Sequence, residues 1–255
     1  MQMTGNTMLI TGGASGIGRA LAQRFHALGN TVIIAGRREA LLEETVAANP
    51  GMKYAVLDIT DAAAIQRFAQ AIKLEYPTLN AVIHNAGIMK TEDLSAGTLE
   101  DAEATIATNL LGPIRLNAAL LSLLKSQPHA TIMTVSSGLA FVPLSLNPTY
   151  CATKAAIHSY TQSLRYQLKD SSVQVLELIP PYVQTELTGA RQANDPHAMP
   201  LEMFITETMQ LLTDHPDATE ICVERVKPLR FAAENGGYDG FFKQLNDSMT
   251  AARAP

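Results

Sequence analysis

Short apolar runs alternate with amphipathic stretches along this chain, and no linker separates them. The apolar runs fall at residues 7–11, 31–35, 53–57, 81–84, 130–135 and 173–179, each flanked by turn residues. Runs of that length and composition suit central strands of a parallel sheet, buried on both faces. Helical periodicity lies between them at roughly 16–28, 38–48, 61–76, 99–125 and 150–169. Right-handed strand–helix–strand crossovers then give a doubly wound α/β sheet of six or seven strands in one domain, residues 1–255. After Thr185 the pattern changes, and about 186–255 reads as a variable substrate-loop and C-terminal helical part. Residues 199–212 form an amphipathic pattern, suited to a substrate lid or to core packing. Residues 220–235 read as a helix stopped by Gly236-Gly237, which leaves six strands rather than seven.

Gly12, Asp58, Asn85, Ser137 and Pro180 each lie at or just past the end of a predicted strand. Open parallel sheets bind ligands at the carboxyl ends of their strands, so these residues share one expected edge. Thr11-Gly-Gly-Ala-Ser-Gly-Ile-Gly18 follows the first apolar run and opens a helical pattern. Strand, glycine turn and helix N-terminus together offer backbone N–H groups and a positive dipole to a phosphate. The second chemical signature is Tyr150-Cys-Ala-Thr-Lys154. Residues four apart share a helix face. A free tyrosine titrates near ~10, and a neighbouring cation draws that value down toward the range that general acid–base catalysis needs.

These features occur together in a known order. T-G-x-x-x-G-x-G near the N-terminus, Asn85-Ala-Gly87, Ser137 thirteen residues before a tyrosine, and Tyr150-x-x-x-Lys154 resemble the short-chain dehydrogenase/reductase family, from about Met8 to Thr185. Val135-Ser-Ser-Gly-Leu-Ala-Phe, Pro180-Pro-Tyr-Val-Gln-Thr185 and Glu234-Asn-Gly-Gly-Tyr238 resemble its DltE-like branch. The resemblance implies a Rossmann-like fold and an oxidoreductase that interconverts a ketone or aldehyde with an alcohol by hydride transfer. Asn109, Ser137, Tyr150 and Lys154 match the catalytic set: Tyr150 as proton donor, Ser137 bonding the carbonyl oxygen, Lys154 tuning the phenol and holding the nicotinamide ribose, Asn109 anchoring a water. Cofactor contacts implied in the same way are Gly12, Ser15, Gly16, Ile17, Gly18, Arg37, Arg38, Asp58, Ile59, Asn85, Ala86, Gly87, Tyr150, Lys154, Pro180, Val183 and Thr185. Relatives that prefer NAD carry an aspartate where this chain has Gly36, and the following Arg37 and Arg38 suit a 2′-phosphate. NADP(H) is therefore the expected cofactor, with NAD(H) possible, because NADP-preferring relatives often carry a basic residue where this chain has Ser15. Pro181 stands where many relatives have glycine, which stiffens that loop.

Composition narrows the remaining choices. The net charge of −5 argues against a nucleic-acid or anionic-membrane partner. Two cysteines, Cys151 and Cys222, imply no disulfide framework and point to the cytoplasm. Cys151 reads as helix packing rather than a nucleophile. Met1 to Thr7 lacks the basic start of a signal peptide, and residues 110–124, broken by Pro113, Arg115 and Asn117, are too short and polar to span a bilayer. Histidine and cysteine spacing offers no metal site, and His84 reads as a strand-end residue. Apolar residues in 110–124 cover roughly two thirds of the helix circumference at ~100° per residue. A helix on one sheet face needs less, and relatives bury this helix between subunits, so a homodimer or homotetramer is expected. Leu139, Phe141, Val142, Leu144, Tyr182 and nearby methionines, with the segment from Glu186 to about Asp214, suggest a pocket for an apolar or medium-sized carbonyl compound. A sugar-nucleotide epimerase or dehydratase, or an idle dinucleotide sensor, are the competing classes.

Overall fold

A computed structural model describes residues 1–251. Seven parallel strands form one sheet in the order β3-β2-β1-β4-β5-β6-β7. They are β1 Thr7–Thr11, β2 Thr31–Gly36, β3 Lys53–Val56, β4 Leu79–His84, β5 Ala130–Val135, β6 Val173–Ile179 and β7 Glu220–Cys222. Alternation along each strand sends successive side chains to opposite faces, and each face carries its own core. Met8, Ile10, Ile34, Met133 and Leu178 pack on one side with Leu21 and Phe25 of α1 (Gly16–Ala27), Leu42 of α2 (Glu39–Ala47) and Phe204 of α8 (Leu201–Asp214). Leu9, Ile33, Val82, Ile132 and Val175 pack on the other. There they meet Ile65 and Phe68 of α3 (Ala62–Glu75), Leu116 and Leu120 of α5 (Gly112–Ser126), and Leu164 of α6 (Pro148–Gln167). The N-terminus of α3 is fixed by Asp61, whose carboxylate accepts from the Ala63 and Ala64 N–H groups at 2.8 and 3.0 Å.

The seventh strand corrects the sequence expectation. Residues 220–235 are not one helix. Glu220–Cys222 pairs with β6 from Glu177 to Ile179, and only Lys227–Arg230 (α9) is α-helical after it. Ile221 explains the outcome: it is buried against the first core, and an edge position on β6 rewards a β-branched residue more than helical propensity does.

The helix expected at 99–125 is interrupted. α4 (Glu100–Ile106) runs into a π-turn at Ala107–Leu111 before α5 begins. Pro113 has no N–H for the Asn109 carbonyl, and the Gly112 N–H reaches back five residues to the Ala107 carbonyl. The combined run Glu100–Ser126 is long and apolar enough to cross a membrane by length and composition. Its Leu116, Leu120 and Leu124 are fully buried in the second core, so that face of the run is core packing.

The 199–212 pattern becomes α8, and it is core packing. Phe204, Ile205, Thr208 and Leu212 are buried, with α8 set against α1. The chain closes with α7 (Ala190–Ala193) inside the loop after β6 and α10 (Tyr238–Ala251) after Gly236.

Candidate active site

The strand order reverses at β1, which has β2 on one side and β4 on the other. The carboxyl ends of those strands open into a cavity of about 860 Å³. Its first wall is the glycine turn. Gly12 adopts φ +67°, and a Cβ there would stand 2.9 Å from the Ala86 Cα, so only glycine lets the turn pass under β4. Asn85 ties the turn down: its side-chain amide donates to the Thr11 and Gly12 carbonyls at 3.1 and 3.2 Å. The Thr11 hydroxyl in turn accepts from the Asn85 and Ala86 N–H groups at 3.1 and 3.2 Å. Gly18 is closed on Asn85 as well, since a Cβ there would meet its Nδ2 at 2.3 Å.

Gly12, Ser15, Gly16, Ile17, Arg37, Arg38, Ile59, Asn85, Ala86, Gly87, Pro180, Val183 and Thr185 all line the cavity. Gly18 and Asp58 lie behind its wall. Asp58 is held by the Thr60 N–H at 2.9 Å and hydroxyl at 2.7 Å. Burial acts to raise its carboxyl, but those hydrogen bonds and the Arg37 charge outweigh it and hold the group below its ordinary value. Arg38 reaches across the mouth to the Ser15 hydroxyl at 2.9 Å.

Ser137, Tyr150 and Lys154 converge at the other end of the cavity. Ser137 follows β5 in an extended conformation, its hydroxyl accepting from the Leu139 N–H at 3.1 Å. The next residue, Gly138, donates to the Pro180 carbonyl at 2.9 Å, so the loops after β5 and β6 are laced together. Tyr150 and Lys154 stand one turn apart near the start of α6, both buried. The ammonium donates to the Val135 carbonyl at 2.7 Å and lies 5.5 Å from the Tyr150 ring centroid. Burial raises the Tyr150 phenol above its ordinary value, and the Ser137 hydrogen bond opposes that only in part. Lys154 donates to Val135 and is itself drawn down to about 8, burial outweighing the Glu177 carboxylate. Desolvation is the largest influence on the phenol.

Asn109 sits in the π-turn, off the cavity wall. Its Oδ1 accepts from the Ile88 N–H at 2.9 Å, and its amide donates to the Ile88 carbonyl at 2.9 Å and the Thr153 hydroxyl at 3.2 Å. The side chain thus joins the loop after β4 to the helix of Tyr150. Cys151 is buried, accepts from the Leu144 N–H at 3.2 Å and has its thiol pushed up to about 11 by burial, the state of a packing residue. His84 ends β4, fully buried against the Asn117 Oδ1 at 2.7 Å, and burial pulls it down to about 4.

Leu139, Leu144, Tyr182, Glu186 and Leu187 line the substrate end as expected, whereas Phe141 and Val142 do not. Residues 199–214 are absent from the wall. Gln192, Leu229, Leu245 and Met249 take their place. Gln192 is buried and donates to the Val183 carbonyl at 2.8 Å while accepting from the Thr188 N–H at 3.0 Å, which fixes the loop carrying Thr185. Leu245 and Met249 are four apart on α10, a spacing legible in the sequence. Which surface that helix meets is not.

A doubly wound sheet with a glycine turn at its switch point and a buried Tyr–Lys pair beside a serine defines an oxidoreductase of the nicotinamide-dinucleotide class. The short chain dehydrogenase family matches residues 6–196, and the chain belongs to that family. It is 42% identical over 252 residues to the uncharacterized oxidoreductase DltE of Bacillus subtilis (strain 168), covering 96% of this chain and 98% of that protein. The NADP-dependent 3-hydroxy acid dehydrogenase of Schizosaccharomyces pombe (strain 972 / ATCC 24843) is 30% identical over 202 residues, 76% of this chain and 78% of that one. Among solved structures, the closed form of serine dehydrogenase complexed with NADP+ superposes with a TM-score of 0.75 at 26% identity, over 84% of this chain and 91% of the other.

The residues present fit a dinucleotide. The first turn of α1, Gly16-Ile-Gly-Arg19, carries no acid, and the Ser15 side chain does not cap it. Its N–H groups and dipole are therefore directed at an anion.

Proposed function

We propose that the protein is an NADP(H)-dependent reductase or dehydrogenase that interconverts a ketone or aldehyde with the corresponding alcohol. The observation that carries this reading is the convergence of Ser137, Tyr150 and Lys154 on one cavity with the glycine turn and Arg37–Arg38. When bound, the nicotinamide supplies or takes up the hydride. The chain's own residues handle the proton and the oxygen. Tyr150 gives its phenolic proton to the carbonyl oxygen in reduction, and Ser137 donates a hydrogen bond to the same oxygen as negative charge develops on it. Lys154, held by the Val135 carbonyl, places a positive charge beside the phenol and favours its ionised form once the proton has left.

Cofactor choice is read at the end of β2. Gly36 brings no carboxylate to the ribose, and Arg37 and Arg38 line the cavity beside it. The Arg38 bond to Ser15 sets a guanidinium over the glycine turn, where the residue at position 15 itself is uncharged. That supports a preference for NADPH. Among the described residues, the cationic side chains on the wall are Arg37, Arg38 and Lys154 alone. The substrate end is formed by Leu139, Leu144, Leu187, Leu229, Leu245 and Met249 with Tyr182, Glu186 and Gln192, so an acid and no arginine or lysine stands there to meet a substrate carboxylate. The reading therefore favours uncharged, apolar carbonyl compounds over 3-oxo acids. Exposed Leu94 and Leu99 before α4, with Ile106 and Leu111 on the α4–α5 run, support a homodimer or homotetramer. Free Cys151 and Cys222 suit a reducing compartment such as the cytoplasm.

The test is a panel of ketones, aldehydes and alcohols with both cofactors, followed by nicotinamide absorbance. Turnover of apolar carbonyls with NADPH, at least ~10-fold above NADH in kcat/KM, is expected. Equal use of NADH, or turnover confined to 3-hydroxy acids, would contradict the reading. A sedimentation mass at the 27.4 kDa of one chain would refute the oligomer.

A further inference from the structure

Position 177 breaks the apolar pattern of β6. On the face where Val173 and Val175 enter the second core, Glu177 is fully buried, in register with Thr134 of β5. His158 Nδ1 donates to its Oε2 at 2.7 Å, while Oε1 is buried without a hydrogen-bond partner. A carboxylate in that position needs positive charge nearby to remain ionised.

The groups around it come from three elements. From α6 come Lys154, His158 one turn further on, and Arg165, which donates to the Val175 and Thr219 carbonyls at 2.8 Å each. β7 brings Glu220 and Cys222, and α9 brings Arg230, whose guanidinium also binds Glu234. His158, Glu177 and Glu220 present ligand atoms within 4.8 Å of one another, the geometry of a possible metal site. Arg230 occupies both Glu220 oxygens, at 2.8 and 3.2 Å, and so removes the third ligand. Arg230 is thus engaged by Glu220 and Glu234, whereas Arg165, bonded to two carbonyls, also lies in the field of Glu177. Among the described residues Lys154 makes no ion pair, and its one hydrogen bond goes to Val135, the residue after the Thr134 that faces Glu177.

We propose that Glu177, clamped by His158, is a positioning residue that keeps Lys154 charged, supplying its counter-charge from inside the sheet. The electrostatics agree in sign: burial draws the Lys154 ammonium down, and the Glu177 carboxylate is the group that acts against that. Glu177 does not reach the cavity wall, so it acts through Lys154 and touches no substrate. The importance of this charge for turnover rests on the catalytic reading of Lys154 given above. The coupling itself does not.

The experiment titrates Lys154 directly. Full-length protein labelled with 13C at lysine Cε is followed by NMR from pH 6 to 11, the Lys154 resonance being assigned by its loss in Lys154→Arg. The wild-type midpoint is expected near 8. In Glu177→Gln it should fall by on the order of one pH unit or more, the scale of a neighbouring charge, and the alkaline limb of kcat/KM should move down with it. Glu177→Asp should restore part of the shift. If Glu177→Gln does not fold, His158→Ala, altered at a partly exposed ring, decides: its Lys154 midpoint should fall in the same direction by less. An unmoved Lys154 midpoint in folded Glu177→Gln, or in His158→Ala where the first fails to fold, overturns the proposal. Absence of turnover with a Lys154 midpoint that still responds would break the catalytic reading and leave the coupling standing.

Discussion

At the end of the cavity bounded by β1, β2 and β4, backbone makes the surface. Gly12 and Gly18 bring the chain within contact of Asn85 and Ala86, and reciprocal hydrogen bonds between Thr11 and Asn85 lock the turn. At the opposite end the surface is side chains from segments far apart in sequence: Leu139, Leu187, Leu229, Leu245 and Met249. Polar ties there are few. α10 is joined to the body through Asn246, which accepts from the Ser145 N–H at 2.7 Å and donates to the Pro143 carbonyl at 3.1 Å. The loop after β6 is pinned at its base, where Met199 N–H meets the Tyr182 carbonyl and Gln184 N–H the Met199 carbonyl, both at 2.8 Å. A ligand part common to many enzymes can be held by fixed backbone, because its shape does not vary. A substrate is distinguished by side chains, which can be replaced without disturbing the sheet.

Tyr150 stands where the two ends meet, and removing its hydroxyl should have the largest effect. Tyr150→Phe is expected to lower kcat by about 10²–10⁴-fold, the usual value of a positioned acid, with cofactor binding and melting temperature little changed. Near-normal turnover would end the assignment. The same site carries a pH signature. Lys154 loses its proton as pH rises through about 8, so reduction should weaken on that side. Its native value lies below the ordinary 10.5, so the unfolded chain holds the proton more tightly, and the stability attributable to Lys154 increases between about 8 and 10.5. Turnover and melting temperature should therefore trend oppositely in that window, with the melting trend lost in Lys154→Met.

The next test strikes the backbone end. Gly18→Ala drives a methyl into the Asn85 amide and the Gly12 carbonyl, which a Cβ would meet at 2.3 and 2.4 Å. Destabilisation of about 1–3 kcal/mol is expected in denaturant melts, together with weaker nucleotide binding. An unperturbed variant would show that the turn is looser than its hydrogen bonds imply. Arg37→Asp comes third: it should erase or reverse the NADPH preference, a change of about 1.4 kcal/mol per tenfold in kcat/KM, without altering the melt. The smallest effect is expected at the side-chain end. Met249→Ala should raise KM for bulky apolar carbonyls by a few-fold, about 1 kcal/mol or less for a partly exposed contact, while leaving KM for NADPH unchanged. A change in NADPH affinity would mean that the two ends are not separable.

The fold was legible because its central strands are short apolar runs with turn residues at their ends. The ends themselves marked the edge where Gly12, Asn85, Ser137 and Pro180 meet. The glycine turn and the Tyr150–Lys154 pair were legible for a local reason: a positive φ and a helical turn are properties of a few consecutive residues. Tertiary structure decided the rest. Glu220–Cys222 carries charged and helix-compatible neighbours, and only the open edge of β6 makes it a strand. The 199–212 pattern fitted a lid or a core equally well until Phe204 and Leu212 met α1. Spacing put a cation beside the Tyr150 phenol, but spacing cannot report desolvation, which turned that titration upward. Glu177 sits in a largely apolar strand, and its partner His158 lies nineteen residues away. Local conformation is encoded by neighbours in the chain, whereas burial, pairing and charge environment depend on which distant segments arrive at the same place.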